Sequence, residues 1–348
     1  MSRKNEISIL NVLFCMLVIF IHCTGGGVSL LPYNNLMRAV LFILWKLSSF
    51  VVQGFIFLSA MKHFMKENTK SYGAFVLDKI KRIFLPYVFW CVVYYFSYIA
   101  IKVIPEYNTS RFINGIFIGD ICGHFYYIIA IMQFYLLFPL WKKIIRKDNM
   151  ILVLPLSIFI SAVCTMGLPS IVKTFFPNCD IIYNDRIFTT YFVYWVMGCY
   201  AGMYYEEFKK LLLNNKPVIT ITWVIVAFLA SYLPYAADLY GYSFSFLTVL
   251  HMMYSIVAIL FTYMLALFIK DTKFANSAVL RSVDRSSYGI YLCHCLILSL
   301  VDVYIVLENN MMPLDATGIR YLIVYPSAIL LCCIYTYICG LVKKKALK

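Results

Sequence analysis

Apolar runs long enough to cross a bilayer recur along this chain, at 6–23, 38–61, 83–104, 124–141, 150–168, 187–205, 217–235, 244–269, 286–307 and 319–341. A helix needs roughly 20 apolar residues to span the hydrocarbon core of a membrane. With 63% hydrophobic and only 13% charged residues, the chain has little from which to build a water-facing surface. The spacing predicts an all-α fold, a polytopic helical bundle of about ten transmembrane helices. No connection between runs is long enough to hold a core of its own, so residues 1–348 read as a single membrane domain. The first run is followed by Gly-rich polar sequence rather than by a small-residue cleavage site. It reads as a retained anchor and not as a signal peptide.

The net charge of +14 is a topology signal rather than a footprint for nucleic acid. Alternate connections collect 23 of the 30 Lys and Arg residues. Arg3, Lys4, the cluster from Lys62 to Arg82, Lys142 to Lys147, Lys209, Lys210, Lys216, Lys270 to Arg285 and the tail from Lys343 to Lys348 fall on one side. The other side receives only Arg38, Arg111, Lys173, Arg186 and Arg320. Basic loops stay in the cytoplasm, so both termini are expected there, in a multi-pass protein of the cell membrane.

Polar residues inside such runs are costly in lipid and mark an interior or a functional face. The first run holds Asn11 and ends in His22. Eleven residues make about three helical turns, which sets the two on one face roughly 16 Å apart. Histidine is the side chain best suited to proton transfer near neutral pH, so His22 is the leading catalytic candidate. His124 opens the fourth run and falls at the same external level. His251 and His294 lie inside runs eight and nine, where a hydrogen bond to a neighbouring helix is the simpler use. The second run has a polar side with Lys46 and Gln53, seven apart and so expected to share a face. Thr24-Gly25-Gly26-Gly27, just past His22, reads as a flexible external connector.

Cys15, Cys91, Cys199, Cys293, Cys332 and Cys333 sit inside apolar runs, where a thiol behaves as a small hydrophobe. No spacing suits zinc, and no metal is expected. The most basic stretch, Asp78-Lys79-Ile80-Lys81-Arg82 leading to Pro86-Tyr87, faces the cytoplasm. It serves either anionic lipid headgroups or the phosphates of a cytoplasmic donor.

Six of these segments, in order, resemble the acyltransferase-3 family of integral membrane acyltransferases. They are Ile7–His22, Phe55–Ala60, Lys79–Tyr87 with Trp90, His124–Tyr127 with Tyr135 and Pro139, Phe192–Gly202, and Ser287–His294. The chain departs from the family at Asn11, where Arg or Lys is usual, at Gln53, where Pro is common, and at Ala60, where Gly is usual. The resemblance implies transfer of an acyl group, most often acetyl from acetyl-CoA, to a hydroxyl of a cell-surface glycan or lipid-linked saccharide. It assigns His22 and His124 to catalysis, and Arg82, Lys79, Lys81 and the Asn11 position to the acyl-CoA donor. The competing reading is a non-enzymatic carrier or exporter of a polar or lipid-linked envelope metabolite.

Overall fold

A computed structural model describes residues 4–65, 71–178 and 183–346. Of the charges counted above, Arg3, Lys66, Lys70 and Lys348 lie outside the described residues. Within them the chain is helical, with no strand. The first helices are α1 (Asn5–Leu30), α2 (Leu36–Ser48), α3 (Val51–Phe64), α4 (Tyr72–Lys79), α5 (Leu85–Ala100), α6 (Thr109–Ile118), α7 (Tyr126–Leu136) and α8 (Phe138–Ile144). After them come α9 (Met150–Phe175), α10 (Phe192–Met203), α11 (Tyr205–Asn214), α12 (Lys216–Tyr240), α13 (Phe246–Ile269), α14 (Ala278–Val301) and α15 (Pro313–Ala346).

Eight helical stretches among the described residues are long and apolar enough to cross a membrane, including α1, α9, α12 and α13. The pair α6 and α7, bent by 45° at its break, makes a ninth candidate. The expected run 187–205 is not one long helix. A 3-10 turn at Phe188–Tyr191 leads into α10, which has only 12 residues and ends at Met203. The second expected span is broken after Ser48, between α2 and α3. Lys46 and Gln53 therefore do not share one continuous helix face.

The chain forms two compact units. The first comprises Met1–Val51, Lys216–Ser243 and Val257–Lys348. Its centre is α1, α14 and α15. Contacts between α1 and α14 climb together: Asn11 meets Asp284, Cys15 meets Ser287 and His22 meets His294. These two helices therefore run parallel. Against α15 the order reverses, with Met16 beside Tyr325, Thr24 beside Tyr321 and Gly27 beside Thr317, so α15 is antiparallel to α1.

The glycines past His22 are not a loop. They lie inside α1, and the helix runs on to Leu30. A Cβ on Gly27 would overlap the Thr317 hydroxyl, and one on Gly26 would stand 2.8 Å from Arg320 Nη1. Small residues let membrane helices approach closely, and here that packing outweighs the conformational freedom of glycine. Arg38 then closes α1, its Nη1 donating to the carbonyls of Val28 and Leu31 at 2.8 Å each. These are the carbonyls a helix end leaves unsatisfied.

The second unit comprises Val52–Asn215 and Phe244–Ile256. Its helix starts follow from capping: Ser71 caps α4 and Asn108 caps α6 through side-chain oxygens. Between α4 and α5 the backbone makes a π-helical turn, Ile80–Phe84, with the Leu85 N–H bonded to the Ile80 carbonyl. Pro86 follows, and proline has no N–H for an α bond and clashes with the carbonyl four residues back. The wider turn absorbs that conflict and keeps the helix continuous from the basic stretch into the membrane. In α10, Gly198 and Gly202 lie against the backbone carbonyls of Phe57 and Met61. The Ala60 methyl occupies room that the missing Cβ of Gly198 leaves.

Candidate active site

In the first unit, α1 and α14 present a polar seam through an otherwise apolar interface. At one end, Asn11 Nδ2 donates to Asp284 Oδ1 at 2.9 Å. About three turns along, the rings of His22 and His294 face one another, centroids 5.2 Å apart and tilted by 53°. Asn11 and His22 thus share a face, as their spacing predicts, and α14 supplies a partner to each.

His294 is fully buried. Its Nδ1 lies 2.8 Å from the Tyr291 carbonyl and 3.1 Å from that of Ile290, both acceptors only. We therefore assign the ring proton to Nδ1. In the neutral ring Nε2 keeps its lone pair, 3.2 Å from the Cys295 Sγ, whose thiol donates to it. The backbone thus holds the ring by the edge away from Cys295. His22 is half-buried at the end of this seam.

The ligand atoms of His22, His294 and Cys295 all lie within 4.8 Å of one another. The set has the donor chemistry of a soft divalent cation. A cation there would occupy the imidazole lone pairs that proton transfer requires, so the two uses compete for the same atoms. From sequence alone His294 reads as a helix tie, and Asp284 does not stand out as its companion. The signal was present: Asp284 and His294 are ten apart on α14, nearly the spacing of Asn11 and His22 on α1.

Below the seam's far end, α15 contributes Tyr321, whose hydroxyl lies 2.6 Å from Thr24 Oγ1, and Arg320, whose Nε donates to Asp302 Oδ1 at 2.7 Å. Arg320 is buried in a helix rather than placed in a loop, so it is more than the topology charge its sequence position suggests.

The second unit carries the other residues expected at a site. Lys79 is half-buried: its Nζ donates to His63 Nε2 at 2.8 Å and stands 4.3 Å over the Tyr135 ring. The Tyr135 hydroxyl is 2.5 Å from Ser59 Oγ, and Phe75 and Phe138 stack beside it. His63, unassigned from sequence, is thus the partner of the central lysine. Lys81 and Arg82 project from the π turn and are exposed. The Arg82 Nε reaches back along its own helix, to Asp78 Oδ1 at 2.9 Å.

His124 is buried in the 3-10 turn Gly123–Phe125, with Nδ1 3.2 Å from Cys122 Sγ and its ring against Phe125 and Tyr94. Gln133 has its side-chain amide fully engaged. Its amide donates to the carbonyls of Ile129 and Arg186 and accepts from the Phe188 N–H. It fastens the segment before α10. Gln53 lies 3.4 Å from His251, nitrogen to nitrogen. A cavity of about 350 Å³ opens in this unit among Tyr95, Tyr98, Arg111, Asn114, Asp120 and Tyr183. It contains none of the six expected site residues.

The family model for an acyltransferase domain matches residues 4–340. The chain accordingly belongs to the acyltransferase-3 family and is a multi-pass membrane O-acyltransferase. No curated protein and no solved structure gives a match. Membership over nearly the whole chain favours the enzyme over the non-enzymatic carrier that the polar seam alone had left open.

Proposed function

We propose that this O-acyltransferase moves an acetyl group from acetyl-CoA to a hydroxyl of a cell-surface glycan or lipid-linked saccharide, at the cell membrane, within one domain spanning residues 1–348. The observation that carries the reading is the His22–His294 pair on two parallel membrane helices. A histidine held against a second imidazole inside an apolar bundle is an expensive arrangement for packing alone. It suits a general base, because an imidazole exchanges a proton readily near neutral pH.

In this reading His22 removes the acceptor hydroxyl proton while the oxygen attacks the thioester carbonyl. The C–S bond then breaks and the CoA thiolate takes the proton from the imidazolium. His124 is the second candidate base, at the same expected external level. Arg82 and Lys81, exposed on the side assigned to the cytoplasm, and the half-buried Lys79 are the cations proposed for the donor's phosphates. Asn11 stands at the family's cation position, bonded to Asp284.

The test is CoA thiol release from acetyl-CoA by the purified full-length protein, with and without an envelope-glycan fraction. Glycan-dependent release, with acetyl recovered on the glycan as an ester, is the expected result. Release with no acetyl ester formed, or no release at all, overturns the proposed donor and acceptor.

A further inference from the structure

We propose that Arg320 is a catalytic residue of the His22 site and binds the oxyanion that forms on the acetyl carbonyl. The inference rests on the reading above, in which His22 is the base. Arg320 is a charged residue within α15, only 6% exposed, and its Nε is committed to Asp302. Among the described residues its Nη1 is buried with no hydrogen-bond partner. A buried guanidinium N–H left without an acceptor costs free energy, and such costs are tolerated where a ligand supplies the acceptor.

Its position answers which ligand. The guanidinium lies on α1 at Gly26, where a Cβ would come within 2.8 Å of Nη1 and 3.1 Å of Nη2. Gly26 is four residues past His22 and so lies on the same helix face, about 6 Å along the axis. A residue with any side chain at 26 would hold the cation off that face. The arrangement sets a base and an N–H donor of a buried guanidinium one helical turn apart, in a setting of low dielectric where such a donor acts strongly.

As the acceptor oxygen bonds to the thioester carbon, the carbonyl π pair moves onto its oxygen. The Nη1 N–H donates to that oxyanion. The pair returns as the C–S bond breaks, and the thiolate leaves with the proton from His22. An interhelical ion pair with Asp302 accounts for Nε but not for Nη1 or for the opening at Gly26.

The experiment measures kcat and KM for acetyl-CoA on the full-length protein carrying Arg320→Gln, Asp302→Asn, both together, or Gly26→Ala. The double variant guards against misfolding, since it leaves no uncompensated carboxylate. Arg320→Gln and the double variant should lose about 10²–10³-fold in kcat with KM little changed, as for removal of an oxyanion donor. Asp302→Asn alone, which keeps Arg320 and its Nη1 donor, should lose clearly less than Arg320→Gln. Gly26→Ala, which keeps charge and ion pair but pushes the guanidinium off the face, should lose about tenfold or more. Near-normal kcat in the double variant, or an equal loss in Asp302→Asn, overturns the assignment. If His22→Gln is inactive while the double variant is active, Arg320 alone falls. A wild type that releases no thiol removes the function and this residue together.

Discussion

At the scale of single residues, the seam between α1 and α14 separates a helix tie from a reacting pair. A hydrogen bond between membrane helices is typically worth about 0.6 kcal/mol, so a tie is nearly dispensable. A general base is not, contributing about 10²–10⁴-fold in rate. His22→Gln should therefore leave normal amounts of folded protein and normal acetyl-CoA binding, with kcat reduced by about that factor. Because His294 faces His22 directly, the two should act as a unit, and effects within a unit do not add. The double variant His22→Gln, His294→Gln should be no slower than the slower single variant. A further independent loss in the double variant would show that His294 works elsewhere. Arg82 is a separate matter, because its exposed side chain is paired with Asp78 on the same helix. Arg82→Ala should weaken acetyl-CoA binding by about tenfold, the size of one charge-assisted hydrogen bond, without loss of folded protein. Unchanged affinity in a direct binding titration would return Arg82 to lipid headgroups. His22, Asn11 and the basic stretch were legible in the sequence because polarity inside an apolar run stands out. Asp284 and the pairing of His294 were not, because they exist only once α1 and α14 run side by side.

At the scale of elements, glycine spacing decided what hydrophobic run length did not. Three glycines past His22 suggested a flexible connector, yet two of them are contact points for α15. Gly25 has nothing within 4 Å of a Cβ, whereas a Cβ on Gly27 meets Thr317. Gly25→Ala should therefore hold or raise the thermal midpoint of the purified protein, since glycine inside a helix costs about 0.5–1 kcal/mol against alanine. Gly27→Ala should lower it, overpacking costing typically 1–3 kcal/mol. Equal midpoints for the two variants would mean that α15 does not press on α1 at this point. The same logic explains α10. Its apolar run reads as a full span, but the helix has 12 residues. Gly198 and Gly202 draw it onto α3, so its apolar residues cover protein rather than lipid. Sequence hydropathy registers burial without telling which neighbour provides it.

At the scale of the whole molecule, helix direction limits how often the chain crosses the membrane. Since α1 and α14 run parallel, an odd number of crossings must separate them. Between them lie five long helical stretches, the bent pair of α6 and α7, and the short α10. If the bent pair crosses and α10 does not, the count is even and the directions conflict. Either both cross, giving ten spans in all, or neither does, giving eight. Phe188–Tyr191 with α10 measures about 26 Å from the rises of 3-10 and α-helix, close to the roughly 30 Å hydrocarbon thickness. Charge then chooses between the two. With ten spans, Lys142, Lys143, Arg146 and Lys147 lie in the cytoplasm and Lys173 and Arg186 outside. With eight, those six residues exchange sides, against the rule that keeps basic loops in. Impermeant maleimide applied to intact cells should therefore label Lys173→Cys and Ser29→Cys but not Asp148→Cys or Asn215→Cys, all four being exposed positions. Labelling of Asp148→Cys with protection of Lys173→Cys would establish eight spans and keep both termini inside. Labelling of Asn215→Cys with protection of Ser29→Cys would invert the protein, moving His22 to the cytoplasmic side and removing the argument for an external acceptor.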